Sequence, residues 1–323
     1  MARVVLHIGT HKTASTTIQE VFSDNAETLR RFGVFYPKLP YRHSGHHGLV
    51  TEWGSNLPRT YHLNGSSRKW LRKIAKAHEA EKGTVLLSSE EFSRADAKQR
   101  VDLNAIKQIF SGYESISVIC VLKPQWRLLQ SLYAEISKRT SPERPPLVVR
   151  EATESGQFQG LFLNYLDLFE WLTSVFEPNQ VHFLDYMSVK NSPRGIVGSV
   201  LEVLRAQEAH GALRVADRWC NPSPKPLAQW MANLLAEPDP PTASLVHRVE
   251  TLFPNSRPQC LFTRSEVRQI QSAFEESNAK LGARIPGFRI SGQNPDQHTV
   301  FREDIGADIW QRLAGGLSKE AGY

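Results

Sequence analysis

The sequence predicts an α/β fold: a doubly wound parallel sheet flanked by helices, with a mainly helical C-terminal third. Three observations carry that expectation. Short apolar runs rich in β-branched residues, at 4–8, 84–87, 115–122 and 181–184, read as buried strands. Segments with apolar residues at helical spacing separate them, the alternation expected of a parallel sheet with crossover helices. From Asn221 onward the pattern turns helical. One domain over 1–323 is expected, with an α/β core at 1–205 and a helical extension at 206–323 packed on it.

The first run ends at Gly9 and enters a polar loop, Thr10-His11-Lys12-Thr13-Ala14-Ser15-Thr16-Thr17. A helix follows, with Ile18, Val21, Phe22 and Leu29 on one face. A helix that starts at such a loop points unpaired N–H groups and its positive dipole end toward it. Lys12 adds a full charge and the hydroxyls add donors, so the unit reads as a pocket for a phosphate-like anion. An ordinary N-cap is the structural alternative. A cap needs one or two hydroxyls, and this loop has five, Thr10, Thr13, Ser15, Thr16 and Thr17.

Further along, Gly33-Val34-Phe35-Tyr36-Pro37 reads as a short strand ended by proline. The loop His43-Ser44-Gly45-His46-His47 carries no carboxylate or cysteine at ligand spacing. His46 and His47 are therefore candidates for lining a substrate pocket, not for holding a metal. A basic helix is expected over 66–82, stopped at Gly83. The strand at 84–87 runs into Ser88-Ser89-Glu90-Glu91, at the strand end where ligands bind in α/β sheets. The strand at 115–122 ends in Lys123-Pro124, and a helix starts near Gln125 with Leu128, Leu129, Leu132, Tyr133 and Ile136 as its apolar stripe. Three prolines interrupt the pattern over 140–146. Helices are expected at 165–176 and 195–204, and Asp185 at a strand end reads as a loop cap. Pro226 suits a first helical turn, and Ser265 reads as an N-cap before Val267, Ile270, Phe274 and Leu281.

The chain has 323 residues, 40% hydrophobic and 22% charged, with a net charge of +6. That balance favours anionic partners such as a nucleotide or an acidic glycan, while the lack of a dense Lys/Arg run argues against nucleic acid. The three cysteines, Cys120, Cys220 and Cys260, are far apart and suggest neither a disulfide framework nor a zinc site. Cys120 reads as a small buried hydrophobe. With no signal-peptide pattern and no apolar run of spanning length, a cytoplasmic location is expected.

The loop is not a Walker A motif, because the second glycine and the Gly-Lys pair are missing. It resembles the 5′-phosphosulfate loop of sulfotransferases that use 3′-phosphoadenosine 5′-phosphosulfate (PAPS), Lys-Ser/Thr-Gly-Thr-Thr after a strand. In this chain the motif reads Lys12-Thr13-Ala14-Ser15-Thr16, in the His-Ile-Gly-Thr-His-Lys-Thr context of bacterial members. Ala14 occupies the glycine position, so a positive φ there would put strain on it. The resemblance implies a sulfuryl donor, PAPS, held by Lys12 to Thr17 without a metal. It implies Glu90 as catalytic base, Glu91 as the second choice, and Lys12 as stabiliser of the leaving phosphate. Lys123 and Ser131, eight residues apart, stand where the family binds the 3′-phosphate. Lysine in place of arginine there keeps the charge and loses bidentate geometry. Asn221-Pro222-Ser223 is similar to a segment of bacterial members, and the Arg-Lys-Gly-x-x-Gly loop of cytosolic members is missing. Both point to the bacterial, glycan-type branch and a carbohydrate hydroxyl as acceptor. The alternatives are a nucleotide-dependent kinase with a degenerate P-loop, and a nucleotide-binding module that has lost its catalytic function.

Overall fold

The structure, a computed structural model, describes residues 1–54, 57–215, 225–253 and 257–320. Cys220 and Asn221-Pro222-Ser223 lie outside the described residues. The chain divides into two compact units. One comprises Met1–Lys123, Gln159–Cys220 and Ser277–Ser291, and the other Pro124–Phe158, Asn221–Glu276 and Gly292–Tyr323.

The first unit is built on a five-stranded, wholly parallel sheet. Its strands are β1 (Arg3–His7), β2 (Val34–Phe35), β3 (Thr84–Ser88), β4 (Ser115–Leu122) and a last strand, Val181–Asp185. Their order is β2, β3, β1, β4, then Val181–Asp185. β1 is central, paired with β3 through His7↔Ser88 and with β4 through His7↔Ile119. The strands that follow β1 in the chain are laid down on both sides of it, so its C-terminal end is the topological switch point where α/β sheets bind ligands. Successive strand residues face opposite sides, and Val4, Val5 and Leu6 are all buried, so both faces of the sheet are covered.

The helix after β1 is divided. α1 (Ser15–Asp24) gives way at Asn25 to α2 (Ala26–Arg31). The Asn25 side chain donates to Val21 O at 2.8 Å, the local bond that lets asparagine interrupt a helix. Ile18, Val21, Phe22 and Leu29 are buried as expected. They pack in one cluster with Val5, Leu86 and Ile119 of the sheet and Val197, Val200 and Leu201 of the helix Gly195–Val203. α3 (Ser67–His78) is capped by Ser66, whose hydroxyl accepts from Lys69 N. α4 (Leu103–Ile109) precedes β4. Asp185 is a cap as expected, accepting from Ser188 N at 2.9 Å and from Ser291 N at 3.0 Å.

The second unit is mainly helical. α5 (Gln125–Ile136) follows β4, and Trp126 is buried with its indole N–H donating to Gln293 O. The prolines of 140–146 do more than interrupt the chain: Pro145 and Pro146 open a helix, Pro145–Ser155, that ends at Gly156 with φ 68°. Pro226 opens the helix Pro226–Ala236. Leu227, Met231, Val246, Val249, Phe253 and Leu313 form that unit's core. The helix Arg264–Arg284, of which the residues up to Glu276 belong to this unit, starts after Thr263, which caps it in place of Ser265. Glu266 N donates to Thr263 Oγ1 at 3.1 Å and Thr263 N donates to Glu266 Oε2 at 2.8 Å, a capping box.

Candidate active site

The loop leaves β1 along β4. Ile8 N donates to Ile119 O and Thr10 N to Val121 O, so strand pairing continues past the last residue of β1. Thr10 Oγ1 reinforces it with a 3.0 Å bond to Val121 O. The chain then turns through left-handed conformations at Gly9 (φ 61°), Lys12 (φ 64°) and Ala14 (φ 65°). Positive φ at 12 and 14 but not at 13 makes the alternating backbone that gathers successive N–H groups into an anion-binding concavity. An L-residue in this conformation costs roughly 1–2 kcal/mol, and the surroundings hold it there. Lys123 Nζ donates to Lys12 O at 2.6 Å, and Thr13 Oγ1 donates back to Thr10 O at 2.5 Å.

α1 has no side-chain cap. Its N-cap residue is Ala14, which has no side-chain oxygen, and no other side chain caps the helix in its place. Ser15 is 5% exposed, and its hydroxyl is buried without a hydrogen-bond partner. It lies against the start of the loop, 2.9 Å from where a Cβ on Gly9 would stand. A buried donor normally finds a partner. An uncapped helix end with an unpartnered hydroxyl is an arrangement whose donors could meet an anion.

Glu90 stands beside this loop. Its Cβ lies 3.2 Å from where a Cβ on Gly9 would stand, and its side chain is 20% exposed. Oε2 accepts from Gln19 Nε2 of α1 at 2.9 Å and lies 3.9 Å from His47 Nδ1. Burial pushes the carboxyl up, but His47, His11, the backbone N–H of Glu90 and, last, the Gln19 bond outweigh it and hold the group below its ordinary range. Glu90 is thus ionised at neutral pH. Glu91 is differently placed: Arg94 Nε donates to its Oε2 at 2.7 Å and His11 Nε2 lies 3.5 Å from Oε1. Burial opposes ionisation there too, yet His11 and Arg94 bring the group down to about 2. Its oxygens are committed to an ion pair, which separates the two glutamates.

The two histidines also part. His46 Nδ1 accepts from Ser88 N at 2.9 Å, and its Nε2 meets Pro37 O at 2.7 Å. Both ring nitrogens are taken by backbone, and burial brings the imidazole down to about 4. His46 is a strut between the loop and β3. His47 Nδ1 bonds Ser89 Oγ at 2.9 Å, and its ring stacks on Tyr61 at 4.3 Å with His43 nearby. Lys123 is 8% exposed; beyond its bond to Lys12 O, its ammonium sits 4.4 Å from the Tyr186 ring centroid. Its carbonyl accepts from Tyr165 OH at 2.6 Å. Ser131 belongs to the other unit, on α5, where its hydroxyl donates to Arg127 O at 2.8 Å.

Three members of the site were not anticipated. Gln19 follows Ser15 by one turn on the same helix face. His7 ends β1, with Nδ1 bonded to Ser88 Oγ at 2.7 Å, Nε2 buried without a partner, and burial bringing the ring down to about 4. His11 touches Glu91. Among the described residues, no group of three or more His, Cys, Asp or Glu is placed to hold a metal ion. Among them, too, no helix is long and apolar enough to cross a membrane.

No family model matches the chain. A search of curated proteins gives no match either. Among solved structures, the chain is similar to a sulfotransferase from Alicyclobacillus acidocaldarius, with TM-score 0.47 and 11% identity over 86% of this chain and 94% of that one. It is also similar to a sugar kinase from Janibacter sp. HTCC2649, with TM-score 0.25 and 14% identity over 65% of this chain and 96% of that one. With TM-scores this low, the chemistry of the site rests on its own residues.

Proposed function

We propose that this chain is a sulfotransferase that moves the sulfuryl group of PAPS to a hydroxyl of an acceptor, a carbohydrate in our reading. One observation carries the proposal: an uncapped helix end, with the buried Ser15 hydroxyl unpartnered, next to the Glu90 carboxyl held by Gln19. The sequence Lys12-Thr13-Ala14-Ser15-Thr16 and its resemblance to the phosphosulfate loop name the anion. PAPS, when bound, supplies a sulfuryl group on a phosphate leaving group.

Sulfuryl transfer parallels phosphoryl transfer, with the moving group in line between two oxygens. A bond forms from the acceptor oxygen to sulfur, the bond from sulfur to the phosphate oxygen breaks, and Glu90 takes the acceptor proton. Lys12 and the N–H groups of Thr13 to Thr17 stabilise the charge that develops on the phosphate. Ser15 Oγ gains the acceptor it lacks. His47 and Tyr61 present an aromatic surface beside Glu90 for the acceptor. Lys123 anchors the loop through Lys12 O, and the resemblance also gives it the 3′-phosphate.

The test is Glu90→Gln. Binding of 3′-phosphoadenosine 5′-phosphate should persist while transfer to a panel of sugar acceptors falls by ~10²–10⁴-fold. Transfer at the unaltered rate would remove Glu90 as base.

A further inference from the structure

We propose that Gln19 is a positioning residue, which clamps Glu90 so that one carboxylate oxygen is held and the other is presented to the proton it takes. The proposal rests on the sulfotransferase reading for what the clamp is for, but not for whether the clamp exists.

The geometry starts with α1. Ser15 and Gln19 are four residues apart and lie on one helix face. The first carries the unpartnered hydroxyl of the anion site, and the second donates to Glu90 Oε2 at 2.9 Å. One short helix therefore carries both the anion-binding end and the donor that orients the base. Any shift of the helix moves both together, while Glu90 itself is carried by the segment that follows β3, so the Gln19 bond ties the two elements to each other at the site.

Gln19 is itself locked. It is 4% exposed, and Gly45 closes over it: a Cβ there would lie 2.7 Å from Gln19 Cδ, Gln19 Oε1 and His47 Nε2. Only a residue without a Cβ fits this close approach. The loop that carries Gly45 is pinned on both sides of it. Tyr41 OH donates to Gly45 O at 2.7 Å, Tyr36 OH donates to Ser44 O at 2.8 Å, and His46 N donates to Ser88 O at 2.6 Å. The His43–His47 loop thus acts as a cover that presses the Gln19 amide onto Glu90.

Gln19 donates to the carboxylate at ordinary hydrogen-bond length, and the backbone N–H of Glu90 itself also supports the ionised group. His47 Nδ1 is 3.9 Å away and is bonded to Ser89 Oγ. The other titratable groups that face Glu90 are His11 and His7 from the β1 loop and strand, and Tyr36 behind the covering loop. Glu91, next in sequence, is held by Arg94 and His11. A fixed neutral donor does what these charges do not: it chooses which oxygen is tied, independent of pH.

The experiment is a carbon-13 NMR titration of Glu-labelled protein, with the Glu90 carboxyl assigned from Glu90→Gln. In Gln19→Met, which keeps the length and loses the donor, the Glu90 pKa should rise by roughly half a unit to one unit. Gly45→Ala is the second variant, since its Cβ displaces the Gln19 amide together with the His47 ring beside it and leaves Gln19 and Glu90 chemically unchanged. It should raise the same pKa, and a melting curve on each variant establishes that it is folded. Where transfer is measurable, Gln19→Met should lower kcat, move the acid limb of the pH–rate profile upward and leave nucleotide affinity unchanged. An unchanged Glu90 pKa in Gln19→Met overturns the clamp, whatever Gly45→Ala does. The titration needs neither donor nor acceptor, so failure to bind 3′-phosphoadenosine 5′-phosphate would overturn the sulfotransferase reading alone.

Discussion

Replacing Ala14 with glycine should stabilise the protein. Ala14 sits at φ 65°, ψ 25°, the left-handed region, at the N-cap of α1. A Cβ in that region costs ~1–2 kcal/mol against a neighbouring carbonyl. Glycine removes that cost and introduces a freer unfolded chain, an opposing effect of ~0.4–1 kcal/mol. Glycine is also the better N-cap. The balance is a gain of about 1 kcal/mol, which for a chain of this size corresponds to a rise in Tm of ~1–2 °C. Thermal melting of Ala14→Gly beside the parent measures it, with Ala14→Val as the opposite arm, because a β-branched residue tolerates this conformation least. A lower Tm for the glycine variant, or an unaltered Tm for the valine variant, would refute the claim that the turn is strained at this position.

Gly9→Ala should lose roughly 1–3 kcal/mol, because φ is 61° and the new Cβ would stand 2.9 Å from Ser15 Oγ; chemical denaturation reads the loss. Stability should also fall in acid, in two stages. His7 and His46 titrate near 4 in the folded chain and near 6.5 unfolded, so the unfolded chain binds more protons between those values and stability drops as pH falls through them. Glu91, at about 2 when folded, gives stability above its ordinary value of 4.5 that is lost as pH falls toward 2. Melting curves across that range should flatten in the lower window for Glu91→Gln, and an unchanged profile would contradict its ion pair with Arg94. Tyr165→Phe should cost ~1 kcal/mol by freeing Lys123 O in a buried site; a neutral result in the same melts would mean that this bond does not support the strand end.

What the sequence makes legible is what lies close together along it. The strand, loop and helix of 4–24 form one contiguous unit, so their pattern is visible, and so is the strain at Ala14, since a single position carries it. Glu90 is visible because a strand end places it. Gln19 is not, because a polar residue in an amphipathic helix looks the same whether it faces water or a carboxylate 71 residues away. The difference between His46 and His47 is hidden for a related reason: backbone from Pro37 and Ser88 occupies both nitrogens of one ring, and aromatic stacking on Tyr61 holds the other. The prolines near 145 look like an interruption when read singly, although proline in a first turn starts helices well. Ser265 looks like a cap until the reciprocal pair of Thr263 and Glu266 is considered. In the second unit, the apolar spacing identifies helices but carries no chemistry.

The most direct test of the central claim is calorimetric titration with 3′-phosphoadenosine 5′-phosphate, beside ATP with Mg²⁺, on the parent chain and on Lys12→Ala. Micromolar binding of the former to the parent, lost in the variant, is expected, with no comparable binding of ATP. Binding of ATP with Mg²⁺ and none of the bisphosphate would contradict that claim and assign the loop to a kinase.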